Sequence, residues 1–287
     1  MSIEFDYPLA PEIARNVDDA LAEDIGDGDL TAGLIPYGRQ AQATVISREA
    51  GVLCGTAWFE LCVLKLDPNA EIAWSADDGA RIAPNQVLCS IRAEARALLS
   101  AERSALNFLQ LLSAVASKAR TYADAIAGTR AQVVDTRKTL PGLRIAQKYA
   151  VRAGGGGNHR LALWDAILIK ENHIVAAGGI VEALEEARHA ANLAGERCKF
   201  IQIEVESLDE LETALNAGAT MILLDNFTLD MMREAVRINA GRAILESSGN
   251  VTLDTIRAIA ETGVDRISVG ALTKDVKALD LSMRFVG

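Results

Sequence analysis

The chain has 287 residues and a mass of 30.6 kDa, with 50% hydrophobic residues, 24% charged residues and a formal net charge of −10. A chain of this size and composition is predicted to be a soluble globular protein that buries one large core or two smaller ones. The acidic balance argues against a nucleic-acid partner, because no run rich in Lys and Arg interrupts it.

The cysteines and the N-terminus restrict the expected compartment. The spacing of the four cysteines contains no CxxC and no Cys/His pair suited to zinc, so they are predicted to be reduced core residues. No secretory signal is evident at the N-terminus, and no apolar stretch reaches the roughly 20 residues that a membrane-spanning helix needs. The expected compartment is the cytoplasm. The cysteines are Cys54, Cys62, Cys89 and Cys198.

The first part of the chain is predicted to form an α+β domain over residues 1–115. A short helix is predicted over 13–22, and short β runs separated by Gly, Pro, Asn and Asp fill 41–92. An apolar helix is predicted within them, over 57–66. A long helix with leucines at helical spacing follows over 98–127, and we expect it to connect this domain to the next.

From Ala131 onward, apolar runs alternate with predicted helices, which indicates βα units with short loops. We assign residues 116–274 to this α/β domain and expect the tail, 275–287, to pack back on the first domain. The pattern fits an α/β barrel or a doubly wound sheet, and six strands are evident. Those strands end at Asp135, Lys170, Glu204, Asp225, Glu246 and Gly270.

One segment of this acidic chain, 135–174, is unusually rich in positive charge. Pro141 begins a predicted helix that ends at the glycine run 154–157, whose backbone N–H groups could approach a ligand closely. A buried strand over 166–169 then delivers a lysine at its C-terminal end. The alternative is a solvated basic loop followed by a flexible hinge, but strand ends in α/β folds are where function concentrates. The cations are Arg137, Lys138, His159, Arg160 and Lys170.

Two carboxylates and two small-residue loops complete the candidate site. Glu204 and Asp225 close successive strands and suit a magnesium ion or sugar hydroxyls, although each alone could be a helix cap or a solvated side chain. Small residues before helix N-termini can form a phosphate site from backbone N–H groups, although each loop alone could be a plain turn. The loop residues are Ser248, Gly249, Asn250, Gly270, Ala271 and Leu272.

Other functional classes receive less support from the sequence. There is no GxxxxGK(S/T) loop, no GxGxxG after a strand and no GxSxG elbow. Lys170 at a strand end leaves a Schiff-base aldolase as an alternative enzyme. A regulatory protein that binds an anionic ligand without turnover is the non-enzymatic alternative.

Four stretches together resemble a known family. They read EDIGDGDLT from Glu23, DTRKTLPGLR from Asp135, GGGGNHR from Gly154 and LIKENHI from Leu168. In this order and spacing they closely resemble the motifs of quinolinate phosphoribosyltransferase, also called carboxylating nicotinate-nucleotide pyrophosphorylase. The resemblance extends from about Glu23 to Phe285, and the motif set is very specific.

The resemblance implies an incomplete TIM-like α/β barrel of seven strands, preceded by a smaller α+β sandwich domain. The sequence pattern shows only six of these strands, and the seventh would lie near the glycine run. It implies transfer of a phosphoribosyl group from 5-phosphoribosyl 1-pyrophosphate to quinolinate, giving nicotinate mononucleotide, pyrophosphate and carbon dioxide for NAD synthesis. A relative acting on another aromatic acid is excluded only weakly. Mg²⁺ is the implied cofactor.

The resemblance also implies roles for individual residues. Arg103 would reach the active site of a neighbouring subunit, which requires at least a homodimer. Arg137, His159, Arg160 and Lys170 would bind the carboxylates of quinolinate. Lys138 would face the phosphates of the phosphoribosyl donor, Thr136 would bind substrate, and Glu204 and Asp225 would contact the ribose of the donor directly or through magnesium. Lys138, Glu204 and Asp225 are the catalytic candidates, and the two small-residue loops would hold the terminal phosphate. A histidine often follows the final glycine loop in the family, where this chain has Lys274.

Overall fold

The computed structural model describes residues 3–286. The chain forms two compact units. The first contains the chain up to Arg120, Thr139–Gly155 and the residues from Leu272 onward, and the second contains Thr121–Lys138 and Gly156–Ala271.

The first unit is built on a four-stranded antiparallel sheet in the order β12-β1-β5-β3. Along β1 the side chains of Ala43, Val45 and Ser47 are buried in alternation, as expected for a strand with one face on a core. The last strand of the chain pairs with β1 and so belongs to this unit. The strands are β1 (Gln40–Ser47), β3 (Glu71–Trp74), β5 (Val87–Glu94) and β12 (Leu281–Phe285), with β2 (Gly51–Val52) and β4 (Arg81–Ile82) forming a separate pair.

The longest helix of the first unit, α3, runs for 31 residues, and its sequence contains no Gly or Pro that would interrupt it. Its last residues, from Thr121, belong to the second unit. The helices are α1 (Leu9–Ile25), α2 (Thr56–Leu66), α3 (Ala95–Ala125), α4 (Arg144–Ala153) and the short α10 (Ala271–Lys274), with a 3-10 turn at Ala32–Leu34.

Helix α4 packs within the first unit, whereas the sequence-based division placed it in the barrel domain. The reason is a set of side-chain hydrogen bonds that sequence spacing does not reveal. Arg15 and Asn16 on α1 donate to the carbonyl of Gly142 at 2.8 and 3.2 Å. On α4, the hydroxyl of Tyr149 donates to Asp78 at 3.0 Å.

The second unit is built on six parallel strands in the order β6-β11-β10-β9-β8-β7. The edge strands β6 and β7 are not hydrogen-bonded to each other in the described residues, so the sheet is barrel-like but not closed. Beside β6, the glycine run contributes one isolated parallel bridge, from Gly157 to Val134, in place of a further strand. The strands are β6 (Gln132–Val134), β7 (Ile167–Ile169), β8 (Ile201–Val205), β9 (Met221–Asp225), β10 (Ile244–Ser248) and β11 (Arg266–Ser268).

Three of the helices that follow the strands, α7, α8 and α9, begin at hydroxyl caps. Ser207 and Thr228 accept hydrogen bonds from the backbone of the first helical turn at 3.2 and 3.3 Å, and Thr252 forms a capping box with Thr255. The helices are α5 (Glu171–Ala177), α6 (Ile180–Ala194), α7 (Leu208–Asn216), α8 (Leu229–Asn239) and α9 (Leu253–Ala260), with a 3-10 turn at Gly195–Arg197. The predicted fold class is confirmed; α5 was not predicted.

Two predictions about composition can be compared with the structure. All four cysteines are free, and all but Cys198 are buried. Burial raises the pKa of the Cys62 and Cys89 thiols to about 12, which keeps them protonated and inert. Within residues 3–286, no helix is both long enough and apolar enough to cross a membrane.

The bond from Tyr149 to Asp78 gives a prediction for stability. Burial raises the pKa of Asp78, and its carboxylate also accepts from the N–H groups of Gly55 and Thr56 at the start of α2. Tyr149→Phe removes one donor from this half-buried carboxyl group, so we expect the free energy of unfolding to fall by about 1–2 kcal/mol in urea titrations.

The matched control is Tyr37→Phe, which removes a hydroxyl from a side chain that is 89% exposed and should change stability by less than about 0.5 kcal/mol. Equal effects of the two substitutions would show that the Asp78 contact contributes nothing.

Candidate active site at the strand ends of the second unit

The predicted site residues of the second unit lie at one edge of its sheet. The strands are parallel, so their carboxyl ends meet there, and the register pairs Asp225 with Ser248 on neighbouring strands. Glu204 pairs with Leu223, two residues before Asp225. The same edge is reached by Lys170, which follows β7, and by Thr136 and Gly270, which follow β6 and β11.

Lys170 and Glu204 form an ion pair across two neighbouring strands. Lys170 Nζ donates to Glu204 Oε2 at 2.5 Å, and the glutamate side chain is only 10% exposed. Helix α5 begins directly after the lysine, and His173 Nδ1 accepts from the Lys170 N–H at 3.0 Å. The lysine backbone is therefore fixed by a helix start, and only one glutamate oxygen is used by this ion pair.

Asp225 is oriented by the next residue in the chain. Asn226 Nδ2 donates to Asp225 Oδ2 at 2.7 Å, and its backbone N–H donates to the Ser248 carbonyl at 3.0 Å. Asn226 has a left-handed backbone with φ of 55°, a conformation that Asn tolerates better than most residues. Gly249, with φ of 112°, lies so close that a Cβ would overlap Asn226 Oδ1 and lie 3.1 Å from its Cγ. The loops after β9 and β10 are therefore in tight contact where the Asn226 side chain packs against Gly249; this contact is called the interlock.

Lys138 lies against the glycine that follows β11. A Cβ on Gly270 would lie 3.1 Å from Lys138 Cδ and 3.6 Å from Thr136 Oγ1. The Thr136 hydroxyl oxygen accepts from the Lys138 N–H at 3.0 Å, which forms a tight turn after β6. Because Gly270 has no side chain, the Lys138 side chain can pack directly over it, between the loop after β6 and the loop after β11.

The glycine run has a packing role, and the interpretation that its N–H groups face a ligand is wrong for Gly154, Gly155 and Gly157. The N–H groups of Gly154, Gly155 and Gly157 donate to backbone carbonyls at 2.9, 2.9 and 2.8 Å. A Cβ on Gly154 would overlap the Ala116 carbonyl on α3, and one on Gly157 would lie 2.7 Å from the Gln132 amide. These positions need glycine because backbone and side chains approach closely.

Side chains replace a neighbouring strand along the segment after Gly157. Four consecutive backbone N–H groups, from His159 to Ala162, donate to side-chain acceptors. The acceptors are Asp135 Oδ1, His159 Nδ1 and the two carboxylate oxygens of Asp165, at 3.0, 2.7, 2.8 and 2.8 Å. Asp135 is fully buried and also accepts from Asn158 at 2.6 Å. The loop that carries Arg160 is therefore held without strand pairing.

Arg160 places a nearly buried positive charge close to a second one. Its pKa is lowered by burial and then by the charge of Arg137, while Asp165 acts in the opposite direction. Its Nη1 reaches the Ala166 carbonyl at 3.4 Å. Two neighbouring guanidinium groups repel each other, and a ligand with two carboxylates would relieve that repulsion through bidentate pairing.

Two predicted residues lie outside the second unit. Arg103 is an exposed residue of α3 in the first unit, and Leu272 also belongs to the first unit. The other predicted site residues, from Thr136 to Ala271, belong to the second unit. Among them His159 differs in environment, since it is 8% exposed and both ring nitrogens contact protein atoms.

Several polar residues of this region were not given a role by the sequence. Asp135 was interpreted only as the end of a strand, and Asn226 was passed over beside Asp225. Gln202 and Glu246 lie in otherwise apolar strands. A polar residue in such a strand is the sequence feature that could have indicated a functional role for them. Ser268, whose hydroxyl donates to Glu246, offered no such signal, because a single serine near the end of a strand has no unusual feature in the sequence.

The contact between Gly249 and Asn226 yields a prediction. Gly249→Ala introduces a Cβ that overlaps the asparagine side chain and strains a left-handed backbone, so we expect a loss of about 2–3 kcal/mol in the free energy of unfolding. Gly241→Ala is the matched control, because Gly241 also has a positive φ, of 80°, but open space around its Cβ position.

The control should lose only about 1 kcal/mol, from backbone strain alone. Adding Asn226→Gly to Gly249→Ala should recover part of the loss, since glycine keeps the left-handed conformation and removes the overlap. Strict additivity of the two substitutions in thermal or urea unfolding would contradict the interlock.

Comparisons with known proteins agree with this geometry. The model of the quinolinate phosphoribosyl transferase C-terminal domain matches residues 115–284, and that of the N-terminal domain matches residues 29–113. The chain is 40% identical over 261 residues to a probable nicotinate-nucleotide pyrophosphorylase (carboxylating) of Bacillus subtilis, covering 91% of this chain and 89% of the relative. It is 41% identical over 274 residues to the nicotinate-nucleotide pyrophosphorylase (carboxylating) of Mycobacterium leprae, covering 92% and 94%.

A solved structure extends the similarity to the fold. The nicotinate-nucleotide pyrophosphorylase from Francisella tularensis superimposes with a TM-score of 0.92 at 43% identity and 98% coverage of both chains. Both domain models, close relatives along nearly the whole chain and the same fold therefore agree. The chain belongs to the quinolinate phosphoribosyltransferase family.

Proposed function

We propose that this protein transfers a phosphoribosyl group from 5-phosphoribosyl 1-pyrophosphate to quinolinate and releases pyrophosphate and carbon dioxide, giving nicotinate mononucleotide. The observation that carries the proposal is the nearly buried Arg160 beside Arg137, in the same unit whose strands end with the carboxylates Glu204 and Asp225. Relatives that share the fold and about 40% of the sequence are named for this reaction.

The two arginines would bind the dicarboxylic acid. Guanidinium groups pair bidentately with carboxylates, and their mutual repulsion in the free protein makes a dianion a favourable occupant. Lys170 would add a third positive charge while remaining paired with Glu204. Arg103 of a neighbouring subunit would complete the acid site, which makes the functional protein a homodimer or a larger homo-oligomer.

The phosphoribosyl donor would lie on the other side of the strand ends. Lys138, which crosses Gly270, would bind its phosphates. The loop Ser248–Asn250, together with Gly270 and Ala271, would hold the 5-phosphate through backbone N–H groups near helix starts. The predicted contact of Leu272 with the same phosphate stays a prediction from the sequence, because Leu272 belongs to the first unit.

Bond changes at the sugar need electrostatic support more than covalent chemistry. The bond from the ribose C1 to the pyrophosphate oxygen breaks, and the quinolinate ring nitrogen forms a bond to the same carbon. Positive charge develops on the sugar as this happens, and the free oxygens of Glu204 and Asp225 would stabilise it or hold the ribose hydroxyls. The C2 carboxylate then leaves as carbon dioxide, its bonding electrons pass to the cationic ring, and C2 takes up a proton.

Mg²⁺ would bind at this site mainly through the substrate phosphates. No cluster of three or more His, Cys, Asp and Glu side chains suited to a metal occurs in residues 3–286. Glu204 has one carboxylate oxygen engaged by Lys170, and Asp225 has one engaged by Asn226. Each could therefore offer at most one oxygen to a metal that keeps several waters, and bound Mg²⁺ would neutralise the departing pyrophosphate.

The structure gives less support to the aldolase alternative. A Schiff-base nucleophile must be a free amine that can attack a carbonyl, whereas Lys170 Nζ is engaged by Glu204 at 2.5 Å. Borohydride trapping of a carbonyl substrate on Lys170 would favour that alternative. A relative that acts on another aromatic acid would instead show turnover with that acid and none with quinolinate.

The decisive assay follows labelled carbon dioxide released from carboxyl-labelled quinolinate in the presence of the donor and Mg²⁺. Lys138→Ala and Glu204→Ala should each reduce kcat by about 100-fold or more, because each removes charge that stabilises the transition state. The exposed Lys277→Ala and Glu185→Ala serve as matched controls and should retain wild-type rates. Absence of carbon dioxide release by the wild-type protein, with saturable binding of the donor, would indicate a sensor instead of an enzyme.

Subunit mixing tests the proposed role of Arg103. Arg103→Ala and Lys138→Ala proteins are each expected to be inactive alone, but a mixed dimer would contain one site with an intact barrel and an intact arginine. Random mixing should therefore restore about a quarter of wild-type activity. A mixture as inactive as its components, with subunit exchange shown by mass spectrometry, would remove the shared-site proposal.

A further inference from the structure

His159 is held in the interior of the second unit by contacts to two elements. Its Nε2 lies 2.6 Å from Oε1 of Gln202, a fully buried residue of β8 two positions before Glu204. Its Nδ1 lies 2.7 Å from the backbone nitrogen of Arg160. The ring also packs edge-on against Phe200, with centroids 5.4 Å apart.

These two contacts select one protonation state of the imidazole. The Arg160 backbone nitrogen can only donate, so His159 Nδ1 must be the acceptor and carry no proton. A neutral ring then carries its proton on Nε2 and donates it to the Gln202 oxygen. Turning the Gln202 amide around would place two N–H donors against each other, so the amide orientation follows from the Arg160 contact.

A carboxylate lies near the ring, but its oxygens contact other partners. Glu246 Oε1 is 3.6 Å from His159 Nε2, beyond hydrogen-bonding distance, and accepts from the Ser268 hydroxyl. Glu246 Oε2 lies 3.2 Å from Arg266 Nε, which offsets its charge. Gln202, a neutral acceptor, is therefore the direct partner of the imidazole N–H.

We propose that Gln202 is a positioning residue for recognition of the dicarboxylic acid. Gln202 would fix the tautomer of His159, and His159 in that tautomer would hold the backbone of Arg160, which binds the acid. The chain from His159 to Ala162 has side-chain acceptors instead of a neighbouring strand. The acceptor for Arg160 exists only while Nδ1 is unprotonated, and Gln202 stabilises that state. His159 thus contributes to acid binding through the arginine and not by touching the acid.

The expected change in KM rests on the proposed function, but the tautomer of His159 can be measured without an activity assay. The chain contains three histidines, and the other two, His173 and His189, are exposed. In ¹⁵N-labelled protein near neutral pH, His159 should show a nitrogen of the unprotonated type at Nδ1 and of the protonated type at Nε2. His189, an exposed residue of α6, serves as the internal reference.

Gln202→Leu should shift His159 toward the opposite tautomer or a mixture, while His173 and His189 remain unchanged. In the carbon dioxide assay it should raise the KM for quinolinate by about tenfold, as the loss of one buried hydrogen bond predicts, and leave the KM for the phosphoribosyl donor within about twofold. Asn239→Leu is the matched control. It removes a buried amide of the same unit that bonds only to Ala243, so it should reduce stability without affecting either KM.

Substitutions of His159 separate the two ring nitrogens. An asparagine oxygen can take the place of Nδ1 as the acceptor for Arg160, whereas a glutamine amide extends to the place of Nε2. His159→Asn should therefore keep the KM for quinolinate within about threefold of wild type, and His159→Gln should raise it by about tenfold.

The opposite order, with glutamine rescuing and asparagine failing, would mean that Nε2 contacts the acid and would overturn the proposal. A ring with its proton on Nδ1, or on both nitrogens, in the wild-type protein would also overturn it. If the wild-type protein released no carbon dioxide while His159 showed the expected tautomer, the proposed function would fail and the positioning of Arg160 by His159 would stand.

Discussion

The active-site edge depends on how the protein satisfies backbone N–H groups where its barrel lacks a strand. Buried N–H groups without partners are costly, and a strand would ordinarily supply the acceptors. Here Asp135, His159 and Asp165 supply them to four consecutive residues. A segment held in this way need not follow strand geometry, so it can present Arg160 at the open edge while remaining nearly as fixed as a strand.

Charge is organised around the same edge. The chain carries a formal net charge of −10, yet Arg137, Lys138, Arg160 and Lys170 gather in the second unit, at or just beyond its strand ends. Lys170 and Asn226 each engage one oxygen of a carboxylate, Glu204 and Asp225 respectively, and leave the other oxygen of that group to ligands. The guanidinium groups of Arg160 and Arg137 lie near each other, and such preorganised charge favours an anionic ligand because the repulsion is already present in the free protein.

Glycine illustrates how much of the site could be predicted and how much could not. From the sequence alone, Gly157, Gly249 and Gly270 cannot be told apart in role, since each is a glycine in a loop predicted to lie near the strand ends. In the structure each meets a different neighbour, the Gln132 amide, the Asn226 side chain or the Lys138 side chain. A glycine in a sequence indicates close approach or unusual φ, but the group that approaches comes from another part of the chain. The roles of these glycines therefore could not be assigned before the loops were placed together.

The sequence by itself determined the α/β class and all six parallel strands, with their ends within two residues, because hydrophobic period and strand-end polarity are local properties of the chain. The motifs also identified the family. Only the tertiary structure decided that α4 packs with the first unit, that the glycine run serves packing, and that His159 is enclosed by Gln202 and the Arg160 backbone. These depend on hydrogen bonds between residues far apart in the chain, such as Arg15 and Gly142, which are 127 positions apart, and no local pattern encodes which distant acceptor a donor will meet.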